Sequence, residues 1–263
     1  DSDQKILSKI VRYANKLSDL VEGIFQGIAT GKDSVFVINK QIKSEYKIED
    51  DIVKPFLKGK DIKPYRIDWA NNFCIYPYFD NGEVLNENVL KQKSPNVYNY
   101  LLSKKSELSG RGYFDSSNKL WYELWNQRNY SRFKNKKIVT LDNASRNSFA
   151  IDESGFIGTT TTYSLIPKAK ISHEYLVAVL NSTLLTFYHK KNTIPQAGGF
   201  YRYQATFIKD LPIVLTDSNV KMTIEDIVNK IKIETEPIKF KKYEREIDEL
   251  VFKLYDLTYD EVL

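Results

Sequence analysis

Residues 24–38 read IFQGIATGKDSVFVI, and the character of the chain changes within this stretch. Before it, apolar residues recur every three or four positions over residues 4–28, a spacing typical of an amphipathic helix. After it, short runs of β-branched and aromatic residues alternate with Gly, Asn, Asp and Pro, as strands and their turns do. The sequence therefore predicts an N-terminal connector helix, followed by a region rich in β-structure.

The region after this stretch mixes strands with helices. Strand-like runs are expected at residues 35–38, 73–76, 137–140, 149–151 and 160–165. Amphipathic patterns predict helices at residues 94–108 and 173–189, and a helical pattern returns in the tail. We therefore expect an α+β fold with a mixed sheet. Its expected parts are a connector helix at residues 1–28, a central domain at residues 29–215 and a C-terminal helical appendage at residues 216–263.

Composition restricts the class of protein. The chain has 263 residues, of which 42% are hydrophobic, and this excludes a disordered or low-complexity chain. Its longest apolar runs fall far short of the roughly 20 residues that span a bilayer, so no membrane association is expected. Cys74 is the only cysteine, which excludes an intrachain disulfide and fits a cytoplasmic protein. The chain begins at Asp1 without a methionine or a leader, which suggests a piece of a longer polypeptide.

Positive charge is concentrated in the expected central domain. The whole chain carries +5, but residues 29–215 carry +9 and residues 216–263 carry −4. Residues 101–150 alone hold ten Lys and Arg against four Asp and Glu. A basic segment that is rich in Tyr and Trp, beside neutral or acidic helices, indicates a surface that binds a polyanion such as nucleic acid.

No catalytic or metal-binding motif is recognisable in the sequence. Gly27–Asp33 resembles a phosphate-binding loop, but too few residues separate its glycines, and Asp stands where Ser or Thr must bind magnesium. His173 and His189 have no Cys or carboxylate partners at metal spacing. Two patterns resemble the carboxylates and lysine of metal-dependent nucleases, namely Asp33, Glu45 and Lys47, and Asp51, Asp61 and Lys63. Such spacings arise by chance in a chain that is 28% charged, so we expect no catalytic residue, metal or cofactor in this chain.

Basic and aromatic side chains of the central region are the candidates for contact with DNA. Lys and Arg bind phosphates, and Arg, Lys, Asn and Gln read base edges. The candidates are Lys58 and Lys60 beside a glycine, Arg111 in a Gly-Arg-Gly loop, Arg128, Arg132, Lys134 and Lys136 in a basic run, Arg146 in a polar loop, Lys191, and Tyr201, Arg202 and Tyr203. The alternative interpretation of each is an ordinary solvated turn or strand. Trp121, Tyr122 and Trp125 are expected in the core, as is Cys74.

Several stretches follow one another in an order that resembles a known family. They are G-I-A-T-G with V-F in residues 24–38, G-K-D-I in residues 54–62, W-Y-E-L with Arg128 and K-K-I-V in residues 121–139, N-S, G-G-F and K-D-L-P-I in residues 176–213, and the tail at residues 247–258. Together they resemble the C-terminal specificity domain of TaqI-like adenine-N6 DNA methyltransferases. That domain also ends type IIG restriction–modification enzymes and is akin to the target-recognition domains of type I specificity subunits.

The resemblance implies a target-recognition domain that binds double-stranded DNA and positions an adenine for N6 methylation. Methyl transfer would belong to a separate, S-adenosylmethionine-dependent domain of the same polypeptide, so this chain alone would be non-catalytic. The parent would be a site-specific adenine methyltransferase and, in the type IIG case, also an endonuclease. Three alternatives stay open, namely a fragment of a type I specificity subunit, a metal-dependent nuclease that uses the acid–lysine patterns, and a protein-interaction module with an incidental basic face.

Overall fold

The structure is a computed structural model that describes residues 2–216 and 219–262. Its helices are α1 (Ser2–Val11), α2 (Leu17–Leu20), α3 (Asp33–Phe36), α4 (Lys40–Glu45), α5 (Glu87–Lys93), α6 (Pro95–Ser103), α7 (Lys105–Leu108), α8 (Gly112–Asp115), α9 (Ser131–Lys134), α10 (His173–Asn181), α11 (Thr183–Asn192), α12 (Ala205–Ile208), α13 (Asn219–Ile231), α14 (Pro237–Leu254) and α15 (Tyr259–Val262). Short 3-10 turns lie at Gly59–Asp61 and Ala197–Gly199.

The strands form two larger sheets and three short ladders. They are β1 (Asn15–Lys16), β2 (Val21–Gln26), β3 (Val37–Ile38), β4 (Val53–Leu57), β5 (Ile62–Lys63), β6 (Arg66–Ile67), β7 (Asn72–Ile75), β8 (Lys137–Leu141), β9 (Asn143–Ala144), β10 (Phe149–Asp152), β11 (Ile157–Gly158), β12 (Thr162–Pro167), β13 (Tyr201–Arg202) and β14 (Pro212–Ile213). The central sheet has the order β10-β8-β12-β2 and is antiparallel throughout. The second sheet has the order β11-β4-β7-β3, in which β11 and β4 are parallel. The ladders are β1–β14, β13–β9 and β5–β6.

The main core lies between the central sheet and the C-terminal helices. Helix α10 occupies the middle, packed against β8 and β10 and against α13 and α14. Residues 175–180 of α10 are all buried, so this helix is apolar on every face, as a helix with neighbours on all sides must be. Ser172 begins the helix by accepting a hydrogen bond from the Tyr175 N–H at 3.2 Å.

A second core lies between the second sheet and the segment that runs from α5 to α9. Its largest buried side chains are aromatic, and they include Phe36, Phe56, Tyr76, Tyr122 and Phe133. The hydroxyls of Tyr76 and Tyr122 donate to the carbonyls of Arg128 (2.6 Å) and Leu85 (2.7 Å), so both keep a hydrogen bond although they are buried. The expected α+β class with terminal helices is thus confirmed.

The helix predicted over residues 4–28 is wrong beyond its beginning. Helix α1 ends at Val11, and residues 21–26 instead form strand β2 at the edge of the central sheet, where Ile24 pairs with Leu165. The apolar residues of this stretch are mostly buried, but those after residue 20 belong to a strand paired with β12 and not to a helix. Tertiary context has overridden a helical spacing that is weak evidence over so short a segment.

Smaller differences concern the ends of elements. Residues 35–36 belong to α3, so the strand predicted at 35–38 keeps only its last two residues. The helix predicted at 173–189 is two helices separated at Ser182, whose hydroxyl accepts from the Leu185 N–H at 3.2 Å and begins α11. Across residues 2–216 and 219–262, no helix combines the length and the apolar character needed to cross a membrane.

Candidate nucleic-acid interface

One end of the central sheet collects loops from distant parts of the chain. Strand β2 ends at Gln26 and β8 ends at Leu141, whereas β12 begins at Thr162. Because β12 is antiparallel to both neighbours, these three termini lie side by side, and Tyr163 pairs with both Gln26 and Thr140. The turns that leave and enter these strands therefore meet at this end of the sheet.

Further segments are hydrogen-bonded onto the same end. The Leu57 carbonyl accepts from the Thr159 N–H at 3.1 Å, which brings the turn after β4 to the sheet. The Asp142 carbonyl accepts from the Tyr203 N–H at 2.8 Å, which brings β13. The backbones of residues 29 and 126 exchange two hydrogen bonds, of 3.0 and 2.9 Å. We name these segments together the loop cluster, which comprises residues 26–31, 58–60, 125–128, 141–143, 159–161 and 201–202.

The turn at residues 58–60 places two lysines in the loop cluster. The Asp61 carboxylate closes the turn by accepting from the Lys58 N–H at 3.0 Å, and Asp61 is buried. Lys58 is half-buried and Lys60 is exposed, and neither forms an ion pair with any residue that the structure describes. Gly59 has no side chain, so the backbone of the turn lies directly against Thr161, just before β12 begins.

Of the two arginines in the loop cluster, Arg202 lies close enough to Asp142 to affect its pKa. Burial raises the pKa of this carboxyl above its ordinary value, while hydrogen bonds at Asn143 and the charge of Arg202 oppose the shift. Arg202 is exposed and stands opposite Asn143 in the β13–β9 ladder. Arg128 belongs to the segment at residues 125–128, and its Nε donates to the Gly27 carbonyl at 3.4 Å. One end of the sheet thus presents two guanidinium groups, and the Asp142 carboxyl lies near that of Arg202.

Arg132 and Tyr201 lie beside the loop cluster. The Arg132 guanidinium is 4.5 Å from the centre of the ring of Phe25, the residue before Gln26 in β2, and the arginine is exposed. Tyr201 is half-buried opposite Ala144. Both therefore border the same surface as Lys58, Lys60, Arg128 and Arg202.

Four other predicted contacts have acidic partners. Lys134 pairs with Asp80, Lys136 with Glu174 (2.6 Å) and Glu153 (3.1 Å), Arg146 with Glu244, and Lys191 with Asp3. Lys136 precedes β8, so it lies at the end of that strand opposite the loop cluster. Because each of these four cations has a carboxylate partner, we leave them out of the loop cluster, and their contact with DNA stays a prediction.

Arg111 is a structural residue, not the flexible DNA contact that its Gly-Arg-Gly sequence predicts. Its three guanidinium nitrogens donate to the carbonyls of Leu108 (3.0 Å), Glu123 (3.1 Å) and Trp121 (2.6 Å). The guanidinium also lies 3.6 Å from the centre of the Phe114 ring, and burial lowers its pKa. Three of the five guanidinium N–H groups are thus used within the protein, and the side chain joins the end of α7 to the 121–125 segment.

Replacing Arg111 by alanine should therefore lower the free energy of unfolding by about 2–3 kcal/mol, because the protein no longer has three hydrogen bonds from a charged group. The salt dependence of DNA binding should stay that of the wild type. Urea unfolding and binding titrations measure the two quantities. A stable Arg111→Ala protein with weaker salt dependence would restore Arg111 as a phosphate contact.

Tyr203 belongs to the core, against the prediction of DNA contact. It is fully buried, its hydroxyl donates to the Asn147 side-chain oxygen at 3.0 Å, and its ring stacks on His189 at 4.3 Å. His189 Nε2 in turn lies 2.8 Å from the Arg202 carbonyl. Tyr203 and His189 thus position the backbone of Arg202 from beneath.

Sequence reasoning missed two features of the loop cluster. Trp125, expected in the core, is 49% exposed. Gln26, which belongs to β2, has its side-chain Nε2 2.5 Å from the Thr160 carbonyl and lies in the cluster. The polar residues that follow Trp125 (Asn-Gln-Arg-Asn) were the available signal, since they offer no apolar partner to continue a core pattern.

Comparison with known proteins places most of this surface, all but residues 26–31, within a recognised domain type. The family model of the TaqI-like C-terminal specificity domain matches residues 54–213. The type II methyltransferase M.MjaIV of Methanocaldococcus jannaschii is 25% identical over 272 residues, which cover 97% of this chain and 89% of that protein. The type II methyltransferase M.BstVI of Geobacillus stearothermophilus is 21% identical over 240 residues, which cover 90% of this chain but 39% of that protein.

Two solved structures share the fold. One is the type IIL restriction–modification enzyme MmeI in complex with DNA, with a TM-score of 0.66 and 14% identity over 95% of this chain. The other is the type IIG restriction endonuclease BpuSI, with a TM-score of 0.55 and 15% identity over 97% of this chain. The chain spans only 35% and 34% of these two proteins, which are similar to it in fold alone.

Proposed function

Because the chain belongs to the family of TaqI-like C-terminal specificity domains, we propose that it is the sequence-specific DNA-recognition domain of an adenine-N6 DNA methyltransferase or type IIG restriction–modification enzyme. It binds double-stranded DNA and positions the target adenine. A separate domain of the same polypeptide binds S-adenosylmethionine and transfers the methyl group. The enzyme works in the cytoplasm.

The loop cluster is the observation that supports DNA binding. It brings Lys58, Lys60, Arg128 and Arg202 from separate parts of the chain to one end of the central sheet. None of the four forms an ion pair with a residue in the described parts of the chain. Cations that are not paired with a carboxylate interact most strongly with phosphates, since they need not exchange one anion for another when DNA binds.

We assign different tasks to these side chains. Lys58 and Lys60 sit on a tight turn, and with Arg132 at the margin they suit the phosphate backbone, which fixes the register of the domain on DNA. Arg202 and Asn143 face each other across a short ladder, where guanine and adenine edges are the natural partners of Arg and Asn. The Asp142 carboxyl beside them accepts a hydrogen bond from a cytosine or adenine amino group and disfavours a phosphate at that point.

Replacing Lys58 and Lys60 together by glutamine should weaken DNA binding and reduce its salt dependence. The slope of log affinity against log salt should fall by about 0.9 for each phosphate that is no longer neutralised, hence by about 1.8 for the two lysines. Fluorescence anisotropy with a labelled mixed-sequence duplex, titrated between about 50 and 200 mM salt, measures both quantities.

The matched control replaces Lys170 and Lys209 by glutamine. Both are exposed, and neither has an ion-pair partner in residues 2–216 or 219–262. Lys170 follows the end of β12, and the Lys209 carbonyl accepts from the Ser18 N–H at 2.9 Å, so both lie at the end of the central sheet opposite the loop cluster. This variant should keep the wild-type slope. Equal slopes in the two double variants would contradict the assignment of the DNA-binding face.

The nuclease alternative finds less support in the structure. The Asp61 carboxylate closes its own turn, and the Thr30 hydroxyl donates to Asp33. Among the residues that the structure describes, no three His, Cys, Asp or Glu side chains come together as a metal site would require. We therefore assign any catalysis to the separate domain, and we expect the purified chain with S-adenosylmethionine to leave DNA unmethylated.

A further inference from the structure

A cavity lined by charged side chains lies between helix α14 and the loop that joins β9 to β10. Its volume is about 490 Å³, which is within the range of sites that bind small molecules. Its lining includes Tyr65, Arg146, Lys241, Glu244, Arg245 and Asp248. None of these residues belongs to the loop cluster, so we name the site separately, as the α14 cavity.

The two carboxylates of the α14 cavity already have donors within the protein. Glu244 forms an ion pair with Arg146. Asp248 accepts hydrogen bonds from the Thr183 N–H, at 2.8 Å, and from the Thr183 hydroxyl, where helix α11 begins. Their negative charge is thus partly compensated, and neither needs a ligand to supply a donor.

The Tyr65 hydroxyl, by contrast, is left without a partner at this cavity. The Tyr65 side chain is 3% exposed, yet its hydroxyl forms no hydrogen bond with any residue that the structure describes. Burial raises the pKa of Tyr65, and the charges of Asp248 and Glu244 add to the shift while that of Arg146 opposes it, so the hydroxyl lies near these cavity side chains. Its backbone N–H donates to the Phe149 carbonyl at 2.9 Å, which fixes its position. Buried tyrosine hydroxyls usually have a partner, so this one indicates a ligand that supplies an acceptor.

Two cations of α14 complete the set of free donors. Lys241 and Arg245 are four residues apart and therefore share one face of the helix. Both are exposed, and within the described parts of the chain neither forms an ion pair or a hydrogen bond. We propose that the α14 cavity binds a phosphate group, held by the Tyr65 hydroxyl and by the side chains of Lys241 and Arg245. A phosphate offers several acceptor oxygens to these donors and a negative charge to the two cations.

The position of the cavity favours the DNA backbone as the source of this phosphate. Arg146 follows Asn143 by three positions, so their Cα atoms are at most about 11 Å apart. Asn143 stands opposite Arg202 in the β13–β9 ladder. Each strand of a duplex carries a phosphate about every 3.4 Å of helix axis, so several phosphates of a duplex that contacts Asn143 lie within that distance. This source rests on the proposed function, whereas a free phosphate compound could occupy the cavity without it.

The DNA source is tested with two variants, Tyr65→Phe and the double variant Lys241→Gln with Arg245→Gln. The double variant should reduce the slope of log affinity against log salt by about 0.9, the value for one phosphate. Tyr65→Phe should bind a labelled duplex about tenfold more weakly with an unchanged slope, because it loses a hydrogen bond to a charged group but no charge. Its urea midpoint without ligand should match that of the wild type, since the hydroxyl has no partner among the described residues.

A free source is tested with inorganic phosphate as the probe. At constant ionic strength, phosphate in place of chloride should raise the urea midpoint of the wild type more than that of either variant. The control for both measurements is the double variant Lys242→Gln with Lys253→Gln. Both lysines are exposed on α14, and neither lines the cavity, so this variant should behave as the wild type.

Tyr65→Phe decides the outcome, because Lys241 and Arg245 could attract DNA through their charge alone. Weaker DNA binding of Tyr65→Phe supports a site for the DNA backbone, and a loss of phosphate protection alone supports a site for a free phosphate compound. If Tyr65→Phe matches the control in both measurements, the phosphate site is overturned. A wild type that binds no duplex at low salt but is protected by inorganic phosphate through Tyr65 contradicts the proposed function and still supports the α14 cavity as a phosphate site.

Discussion

Replacing Lys137 by methionine is expected to lower the free energy of unfolding by about 3–5 kcal/mol, the cost of leaving one member of a buried ion pair uncompensated. The side chains of Lys137 and Asp152 are both completely buried and form an ion pair across the β8–β10 ladder. The Lys137 ammonium also donates to the Phe133 carbonyl at 2.6 Å. The Asp152 carboxylate would keep only the backbone N–H groups of Ser154 (2.8 Å) and Phe156 (2.9 Å).

The neighbouring residue supplies the control. Lys136 is half-exposed and pairs with Glu174 and Glu153, so Lys136→Met should cost at most about 1 kcal/mol, as exposed ion pairs do. Urea unfolding of both variants measures the difference. Combining Lys137→Met with Asp152→Asn removes the stranded charge, so the double variant should be more stable than Lys137→Met alone. Equal stability of Lys136→Met and Lys137→Met would show that the buried pair contributes no more than a surface one.

The sequence predicts the strands of the central sheet where a strand is buried on both faces. Residues 137–140 and 149–151 are continuous apolar or β-branched runs, and the structure pairs them in β8 and β10. The N-terminal segment is mispredicted for a physical reason. An apolar spacing of three and four also occurs when a short helix such as α2 runs directly into a strand such as β2, and only pairing with β12 distinguishes the two.

The candidate site, too, could be predicted from the sequence only in part. The types of residue that bind DNA, and the turn that carries Lys58 and Lys60, are visible in the sequence. The carboxylates that pair with these cations are not visible in the sequence, because Arg146 meets Glu244 from 98 positions away and Lys191 meets Asp3 from 188. No local pattern signals such contacts. They depend on how the terminal helices pack on the central domain, which only the three-dimensional structure gives.

A second large loss of stability is expected from a substitution at Gly27, where the two larger sheets approach each other closely. Gly27→Ala is expected to destabilise the protein by about 3 kcal/mol or more, because the methyl group has no space and its neighbours are backbone atoms. An added Cβ would lie 2.1 Å from the Gly158 carbonyl oxygen and 2.2 Å from that of Thr159. The chain would have to give up the hydrogen bond from the Ile28 N–H to the Gly158 carbonyl (2.8 Å), which joins β2 to the end of β11.

Gly23, within β2 just before Gly27, provides the comparison, since a Cβ there meets nothing within 4 Å. Gly23→Ala should change the free energy of unfolding by no more than about 0.5 kcal/mol. Because the Gly27 carbonyl also accepts from Arg128 and Gly27 belongs to the loop cluster, Gly27→Ala should weaken DNA binding even at temperatures where the variant is folded. Urea unfolding together with binding titrations separates the two effects. A Gly27→Ala protein as stable as Gly23→Ala would mean that the sheets separate freely at this point, and that the loop cluster is not held together by the packing of the two sheets.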